Sequence, residues 1–433
     1  MSAALSTPPP VGQRLKGEAG AILAVKVAGT GLAFLAQLLL ARRLGAEGMG
    51  AYALAMAMLN ALLVFGRMGF DVAALRIATL LQVDGDAAGL KGFLQVSRRI
   101  PLGVAALLST GAAVAVHLTV SRPLVRASLL VACLGLLPWT LLRVDQGTLR
   151  ALGRRVLAFL PGEIVRPGLF LLGILLAGTA LTRPGAAPRA VGLHVGAITA
   201  GAVLAWALLR RTVSPAARGA APRRETRSWV RAGVALGAVT GLNALLGQTD
   251  TLILGALLPT DQVGLFSVAR RIAALLAFGL LAVNAAVAPG FARLHRDGTP
   301  EALSRLVRRA ARLSTAATLP LALVLLLAGR WVLGWFGPEF PAAYPVLAIL
   351  CAAQVVNAAC GPVALLLSLT GHARETARVM AAGLVLLAAG VAWAAPRFGI
   401  VGAAAVSGTV LAGWNLSLVF LSRIRLGIRG SIV

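Results

Sequence analysis

The feature that most limits what this chain can become is a series of apolar stretches, each about as long as a bilayer is thick. A transmembrane helix needs about 20 predominantly apolar residues. A window of that size gives a best count of twelve along the 433 residues, within a range of eleven to fourteen. In the first half they cover roughly 20–41, 49–70, 100–120, 124–142, 156–180 and 190–210. In the second half they cover roughly 229–257, 263–289, 313–336, 342–369, 376–396 and 400–421. Only 13% of the residues are charged and the mean hydropathy is +0.86, whereas a soluble domain carries about 25% charge. Too little polar surface remains to cover a water-soluble globule.

The formal charge is nonetheless +27. An excess of that size often marks a nucleic-acid binder, but the hydropathy excludes that partner. The arrangement of the 41 basic residues explains it instead. With the N-terminus in the cytoplasm, 28 of them fall in segments on the cytoplasmic side and 8 on the other, alternating loop by loop. That is the positive-inside bias, and it predicts an even number of spans with both termini cytoplasmic. Lys26, Arg67, Arg166, Arg270 and Arg271 are left within spans. Trp139, Trp206 and Trp229 are expected at cytoplasmic span ends, and Trp331, Trp335 and Trp393 at outer ones.

The two halves echo each other. Leu44-Gly45-Ala46-Glu47-Gly48-Met49-Gly50-Ala51-Tyr52 returns as Leu258-Pro259-Thr260-Asp261-Gln262-Val263-Gly264-Leu265-Phe266, an offset of 214 residues. Gly85 to Arg99 returns as Gly298 to Arg312, and Ala151-Leu152-Gly153-Arg154 as Leu369-Thr370-Gly371-His372. Six spans per repeat is an even number, so both repeats enter from the same side. The expected fold is all-α: two six-helix bundles related by a pseudo-two-fold axis along the membrane normal, with a substrate path between them. The expected organisation is a cytoplasmic tail (1–19), an N-terminal bundle (20–210), a linker rich in Pro, Ala and Arg (211–228), a C-terminal bundle (229–421) and a cytoplasmic tail (422–433). The first twenty residues lack the apolar core of a cleavable signal peptide. From Thr299, an expected N-cap followed by Pro300, the pattern predicts an amphipathic helix whose arginine face lies on anionic lipid.

Cys133, Cys351 and Cys360 all sit in apolar runs, so no disulfide framework is implied. His117, His194, His295 and His372 are far apart and make no metal-ligand spacing. None of Lys16, Lys26 and Lys91 is followed by Ser or Thr, so there is no P-loop and no sign of ATP hydrolysis.

Several short motifs resemble the polysaccharide and oligosaccharide flippases of the multidrug/oligosaccharidyl-lipid/polysaccharide exporter superfamily. They are Leu-Gly-x-x-x-x-Gly-x-Tyr/Phe at Leu44 to Tyr52, Gly69-Phe70-Asp71-Val72-Ala73-Ala74-Leu75-Arg76, Ala151 to Arg154, and Phe398-Gly399-Ile400-Val401-Gly402-Ala403-Ala404. Asp250 before the run Leu252 to Leu254 is similar to that family's seventh span. The resemblance implies export of a lipid-linked sugar across the cytoplasmic (inner) membrane, without a cofactor and without saying which sugar. Polysaccharide assembly proteins are further candidate partners, beside the membrane lipids.

Charge at mid-membrane costs at least about 2.5–3.5 kcal/mol, so it needs a reason. Arg166 lies about ten residues into span five, roughly 15 Å deep, with Glu163 one turn before it and Pro161 and Pro167 on either side. Lys26, Arg67, Arg166, Arg270 and Arg271 are therefore candidate linings of a cationic cavity for a pyrophosphate, whose oxygens suit guanidinium forks. Asp71, Glu163 and Asp250 are candidate tuning groups, or couple transport to H⁺ or Na⁺. The alternative for Arg166–Glu163 and Arg67–Asp71 is a pair of structural ion pairs. Gly233, Gly237 and Gly241 form a ridge better explained by helix packing.

Two other functions compete. A multidrug antiporter of the same superfamily would favour acidic groups in the first bundle, where this chain has Lys26 and arginine-offset carboxylates. A membrane ligase or polymerase would need a sizeable outer loop, and the longest here is about residues 181–189, with no cluster of His and carboxylates. The chain reads as a transporter and not an enzyme.

Overall fold

The computed structural model describes residues 11–427, and among them every regular element is helical. Parts of the expected tails, 1–10 and 428–433, lie outside the described residues. Among those described, nine helices are long and apolar enough to cross a membrane, or ten with the bent pair Pro123–Leu134 and Leu136–Ala151 as one span. Two of the nine, Gly20–Val83 with 64 residues and Ala373–Leu426 with 54, far exceed a bilayer. Each folds back at a glycine with left-handed backbone, Gly45 (φ 67°) and Gly399 (φ 59°), a conformation open to glycine at little cost. The reversal shows in what it brings together. Gln37 and Tyr52, either side of Gly45, line one cavity. A β-carbon on Gly390 would meet Val406, and one on Gly383 would meet Trp414. Among the described residues the total is twelve spans, as the apolar windows predict.

Spans one and two are the arms of Val11–Gly66, the second continuing as Phe70–Val83. Span three is Ala87–Thr119, span four the bent pair, and span six Ala187–Thr212. Span five comprises Arg155–Leu160, a π-helical turn Pro161–Val165, and Arg166–Ala177. Span seven is Thr226–Leu257, and span eight joins Thr260–Ala274 to Ala277–Arg296. Span nine is Pro300–Gly334, and span ten joins Tyr344–Cys360 to Val363–Leu369. Spans eleven and twelve are the arms of Ala373–Leu426.

Four expectations need correction. Span four does not stop near 142: its helix runs to Ala151, so Arg143 and Arg150 belong to a span end and not to a loop. The amphipathic segment after Thr299 is not a separate surface helix but the first turns of the 35-residue span nine. Its periodicity is as read, with Leu303, Val307 and Ala310 buried and Arg305, Arg309 and Arg312 exposed. Thr299 occupies the N-cap position without capping, because its hydroxyl donates to the Leu294 carbonyl instead. Trp139 and Trp229 are buried, Trp229 edge-on to Phe93, so their rings pack in the interior and not at the interface.

The repeat is visible as geometry. A β-carbon on Gly50 would fall 1.8 Å from the Thr260 carbonyl oxygen, and one on Gly264 1.9 Å from that of Ala46. Exchanging the halves by the repeat offset of 214, 50 to 264 and 260 to 46, turns the first contact into the second, so these glycines face each other across the pseudo-two-fold axis. Elsewhere Gly85 and Gly298 both take φ near 66° (67° and 65°), and Gly153 and Gly371 take 81° and 88°. Contacts between loops group them on two faces of the bundle. On one face Arg42 donates to the Trp335 carbonyl, Arg43 to those of Ile174 and Gly178, and Arg122 to that of Leu258 (2.8 Å). On the opposite, basic face Arg223 pairs with Asp86 (2.6 Å), Arg155 with Glu18 and Arg425 with Glu375.

Candidate functional site

Between the halves lies a cavity of about 450 Å³, within the usual range for small-molecule sites. Spans two, seven, eight, ten and twelve contribute to its wall, which includes Tyr52, Asn60, Asp250, Arg270, Arg271 and Trp414. A second chamber of about 420 Å³ adjoins it, sharing Asn243, Gln354 and Trp414. It extends toward the basic face, to Asn284 on span eight and Leu418 on span twelve. Away from that face the cavity is closed. The Gly50–Gly264 contact seals it, with Arg122 bonded to the Leu258 carbonyl and the Ala46 N–H donating to Glu339 (2.8 Å). On the basic face the halves meet where the Gly69 turn packs on Gly233 and Gly237, while Gly241 packs on Val64. The ridge is thus a packing surface.

Of the eight charged residues singled out in the sequence, the cavity brings together three. Asp250 is buried; its Oδ1 accepts from the Thr251 N–H (2.7 Å) and from Arg270 (3.1 Å). Arg270 also donates to the Gly247 carbonyl. This pair is fixed at both ends, as a buried charge requires. Arg271 differs. It lines the same cavity and is exposed there, with no hydrogen bond or ion pair among the described residues. A guanidinium presents five donors in a planar fork, and here they face open space.

Arg166 does not line either chamber, and it does not pair with Glu163. The π-helical turn sets its direction: Pro161 and Pro167 remove backbone donors on either side, and the extra residue in the turn re-aims the side chain. Its Nε donates to the Gly162 carbonyl (3.1 Å) and one terminal nitrogen reaches His194 Nε2 (2.9 Å). Its guanidinium carbon lies 5.7 Å from the Trp139 ring. His194 Nδ1 is 2.6 Å from Tyr52 Oη, and the imidazole stacks on Phe170 at 4.4 Å between centroids. Because arginine can only donate, Nε2 accepts, so the neutral ring carries its proton on Nδ1 and donates to Tyr52. The Tyr52 hydroxyl also meets the side chain of Gln37, which lines the same cavity. Arg166 therefore reaches the cavity indirectly, through His194 and Tyr52.

The remaining four lie nearer the basic face. Arg67 binds Asp71 at 2.6 Å across the turn at Met68 and Gly69 that separates two helices, and both are buried. The second Asp71 oxygen has no hydrogen-bond partner, and Arg150 donates to its carbonyl (3.2 Å). The Lys26 ammonium lies 5.0 Å from the Phe159 ring centroid, a cation–π contact. Glu163, whose carbonyl packs on Gly29, makes no ion pair among the described residues.

Sequence reasoning misses His194 and Tyr52. His194 has no second metal ligand near it in the chain, yet a histidine in a span is itself a polar cost, and that signal is present. Asp145 is missed as well: it is buried with Arg98 3.3 Å away and an oxygen unpartnered. It sits just beyond the expected end of span four.

Residues 190–340 match the family model described as polysaccharide biosynthesis protein. No curated protein matches this chain by sequence. Solved structures share the fold. One is a multidrug resistance MATE family transporter of the MOP superfamily in an inward-facing conformation, 14% identical, with a TM-score of 0.75 over 94% of this chain and 98% of that one. Another is the lipid II flippase MurJ, inward closed, 12% identical, with a TM-score of 0.74 over 92% and 87%. A third is a ligand complex of the MATE multidrug transporter DinF-BH, 15% identical, with a TM-score of 0.67 over 97% of each chain. Family model and fold together support the resemblance drawn from the sequence motifs.

Proposed function

We propose that this protein is an alternating-access exporter that moves a polyprenyl-pyrophosphate-linked oligosaccharide across the cytoplasmic membrane. The basic face lies in the cytoplasm with both termini, because its loops carry the excess of arginine. The observation that carries the reading is Arg271, an unpaired guanidinium facing a central cavity that is shut on the opposite side. An uncompensated charge at that depth is costly unless a partner arrives. A doubly anionic pyrophosphate is such a partner, and it fits the fork geometry. Arg270 can turn toward the same phosphate when the anion competes with Asp250 for its donors. Arg67, Arg166 and Lys26 hold the N-terminal bundle in register around the site and bias its field toward anions. Among the carboxylates, Asp71 and Asp250 are neutralised by an arginine, which leaves Glu163 to take up the coupling ion, H⁺ or Na⁺. Lipid chains pass along the bilayer side, and polysaccharide assembly proteins receive the product.

The test uses purified protein in proteoliposomes loaded with a fluorescent polyprenyl-pyrophosphate glycan. Leaflet exchange is read by quenching of the outer-leaflet label. Wild type should exchange it and Arg271→Ala should not, although both insert and fold alike. The multidrug reading, which the MATE neighbours keep in view, requires export of organic cations in the same vesicles. Exchange unaffected by Arg271→Ala, or cation export without glycolipid exchange, refutes the proposal.

A further inference from the structure

The chain contains five asparagines, and all five line the two chambers: Asn60, Asn243, Asn284, Asn357 and Asn415. Three of its eight glutamines, Gln37, Gln248 and Gln354, join them. In a sequence that is 58% hydrophobic, amide side chains have been collected in one place. They come from spans one, two, seven, eight, ten and twelve.

The plain reading is helix–helix gluing, since amides in spans often hydrogen-bond across a seam. Two observations oppose it. First, these amides converge on empty space and not on a contact between two helices. Second, Asn284 Oδ1 and Ser407 Oγ are buried in the chamber walls with no hydrogen-bond partner, a cost that bridging helices would have removed. Where bonds do form they are local. Asn357 donates to Gln354 (3.0 Å) and Asn415 to the Leu411 carbonyl (2.8 Å), which orients each amide while leaving its other end for a ligand.

The chemistry of the missing partner follows. Each amide offers both donor and acceptor, as each sugar hydroxyl does. The second chamber has no charged residue in its lining, so it suits neither a phosphate nor a cation. Trp414 borders both chambers and provides a flat apolar face for the C–H side of a pyranose ring. From this we infer that the amide-lined second chamber is a subsite for a neutral, hydroxyl-bearing sugar, read by Asn284, Asn357 and Asn415 and stacked against Trp414. Arg271 in the first chamber takes the pyrophosphate to which that sugar is joined. The inference rests on the proposed function for its second half and on the chamber alone for its first.

The test measures binding to the full-length protein in lipid nanodiscs. The probes are bare polyprenyl pyrophosphate and the same carrier bearing one glucose, galactose or N-acetylglucosamine. Wild type should bind at least one glycosylated carrier about tenfold or more tighter than the bare one. Asn284→Leu and Asn357→Leu should each weaken that carrier roughly three- to tenfold, the effect of losing one or two hydrogen bonds. Binding of the bare carrier should stay unchanged, which also shows that the variants fold. Equal affinity for bare and glycosylated carriers, or variants that weaken both alike, overturns the sugar subsite while leaving the flippase reading standing. Wild type that binds neither kind of carrier overturns both.

Discussion

Substituting the two glycines on the pseudo-two-fold axis tests alternating access most directly. In the structure the backbones of spans two and eight touch at Gly50 and Gly264, with room for a hydrogen atom only. A β-carbon at Gly50 lies 1.8 Å from the Thr260 carbonyl oxygen and 2.9 Å from the Gly264 nitrogen. Ordinary contact begins near 3.4 Å, so Gly50→Ala demands that the helices part by about 1.6 Å. Both obstacles are backbone atoms, which cannot turn aside as a side-chain tip can. Overpacking of this kind costs about 1–3 kcal/mol or more, and here the penalty falls only on the conformation that is closed away from the basic face. A conformation open on that side carries no such clash. The ratio of closed to open forms should then fall by a factor of roughly 5 to 150, and Gly50→Leu should push it further.

The readout is accessibility of a cysteine placed at Ser267, which lines the cavity. The native cysteines are buried and give a low background. A membrane-impermeant maleimide added from the side opposite the basic face should label the Ser267→Cys protein slowly. With Gly50→Ala it should label several-fold faster, and glycolipid exchange should drop because one half of the cycle is no longer populated. Gly264→Ala should reproduce both effects, since the repeat exchanges the two positions. Unchanged labelling and exchange in either variant would mean that this contact is not a gate, and the account of closure would fail.

Other expectations follow from single contacts. Arg271→Lys should retain part of the exchange that Arg271→Ala loses if charge alone matters, and almost none if the two-pronged phosphate contact matters; initial rates in proteoliposomes decide. Arg67→Met strands the buried Asp71 carboxylate and should destabilise the folded protein by about 3–5 kcal/mol, whereas Arg67→Met with Asp71→Leu should recover most of that loss; thermal unfolding in detergent is the measurement. His194→Leu removes the acceptor for Arg166 and the donor to Tyr52. It should cost about 1–3 kcal/mol of stability and slow exchange further, while His194→Gln, which keeps a donor and an acceptor, should restore part of both.

The span count and the repeat are legible in the sequence, as is the basic excess that predicts a side for each loop, because they follow from averages. A bilayer imposes a length on every apolar run, and charge asymmetry is summed over loops. The break in span five is legible too, because Pro161 and Pro167 act locally. What a charge touches is not legible. Arg166 and Glu163, three residues apart, look like an ion pair in one dimension, yet the π-helical turn between them sends Arg166 to a histidine 28 positions away. Asp71 and Arg67 look the same on paper and do pair, although the chain between them leaves the helix at Met68 and Gly69, both with positive φ. The apolar window ends span four at Arg143 because arginine usually marks an interface. The helix continues beneath other spans, and that continuation is what hides Asp145 from a reading by windows.

The two halves began as copies but no longer share a task. The axis glycines are kept on both sides because each needs the other's backbone at touching distance. Away from the axis the halves have diverged in a consistent direction. In the N-terminal half Arg67 is spent on Asp71, Lys26 on Phe159 and Arg166 on His194 and Trp139. The buried polar atoms left there without a hydrogen bond, among them those of Asp71, Thr140, Asp145 and Gln146, lie away from both chambers. In the C-terminal half Arg271, the unpartnered Asn284 amide oxygen and the unpartnered Ser407 hydroxyl line the chambers themselves. A half whose charges are tied up away from the chambers and a half whose unmet polar groups face them suit a rocking mechanism in which one bundle is the frame and the other carries the cargo. If so, cross-linking within the N-terminal bundle should leave exchange intact. A cross-link between Asn284→Cys and Asn357→Cys, which closes off the second chamber, should abolish it. Exchange lost by the first cross-link and kept by the second would reverse the assignment of frame and carrier.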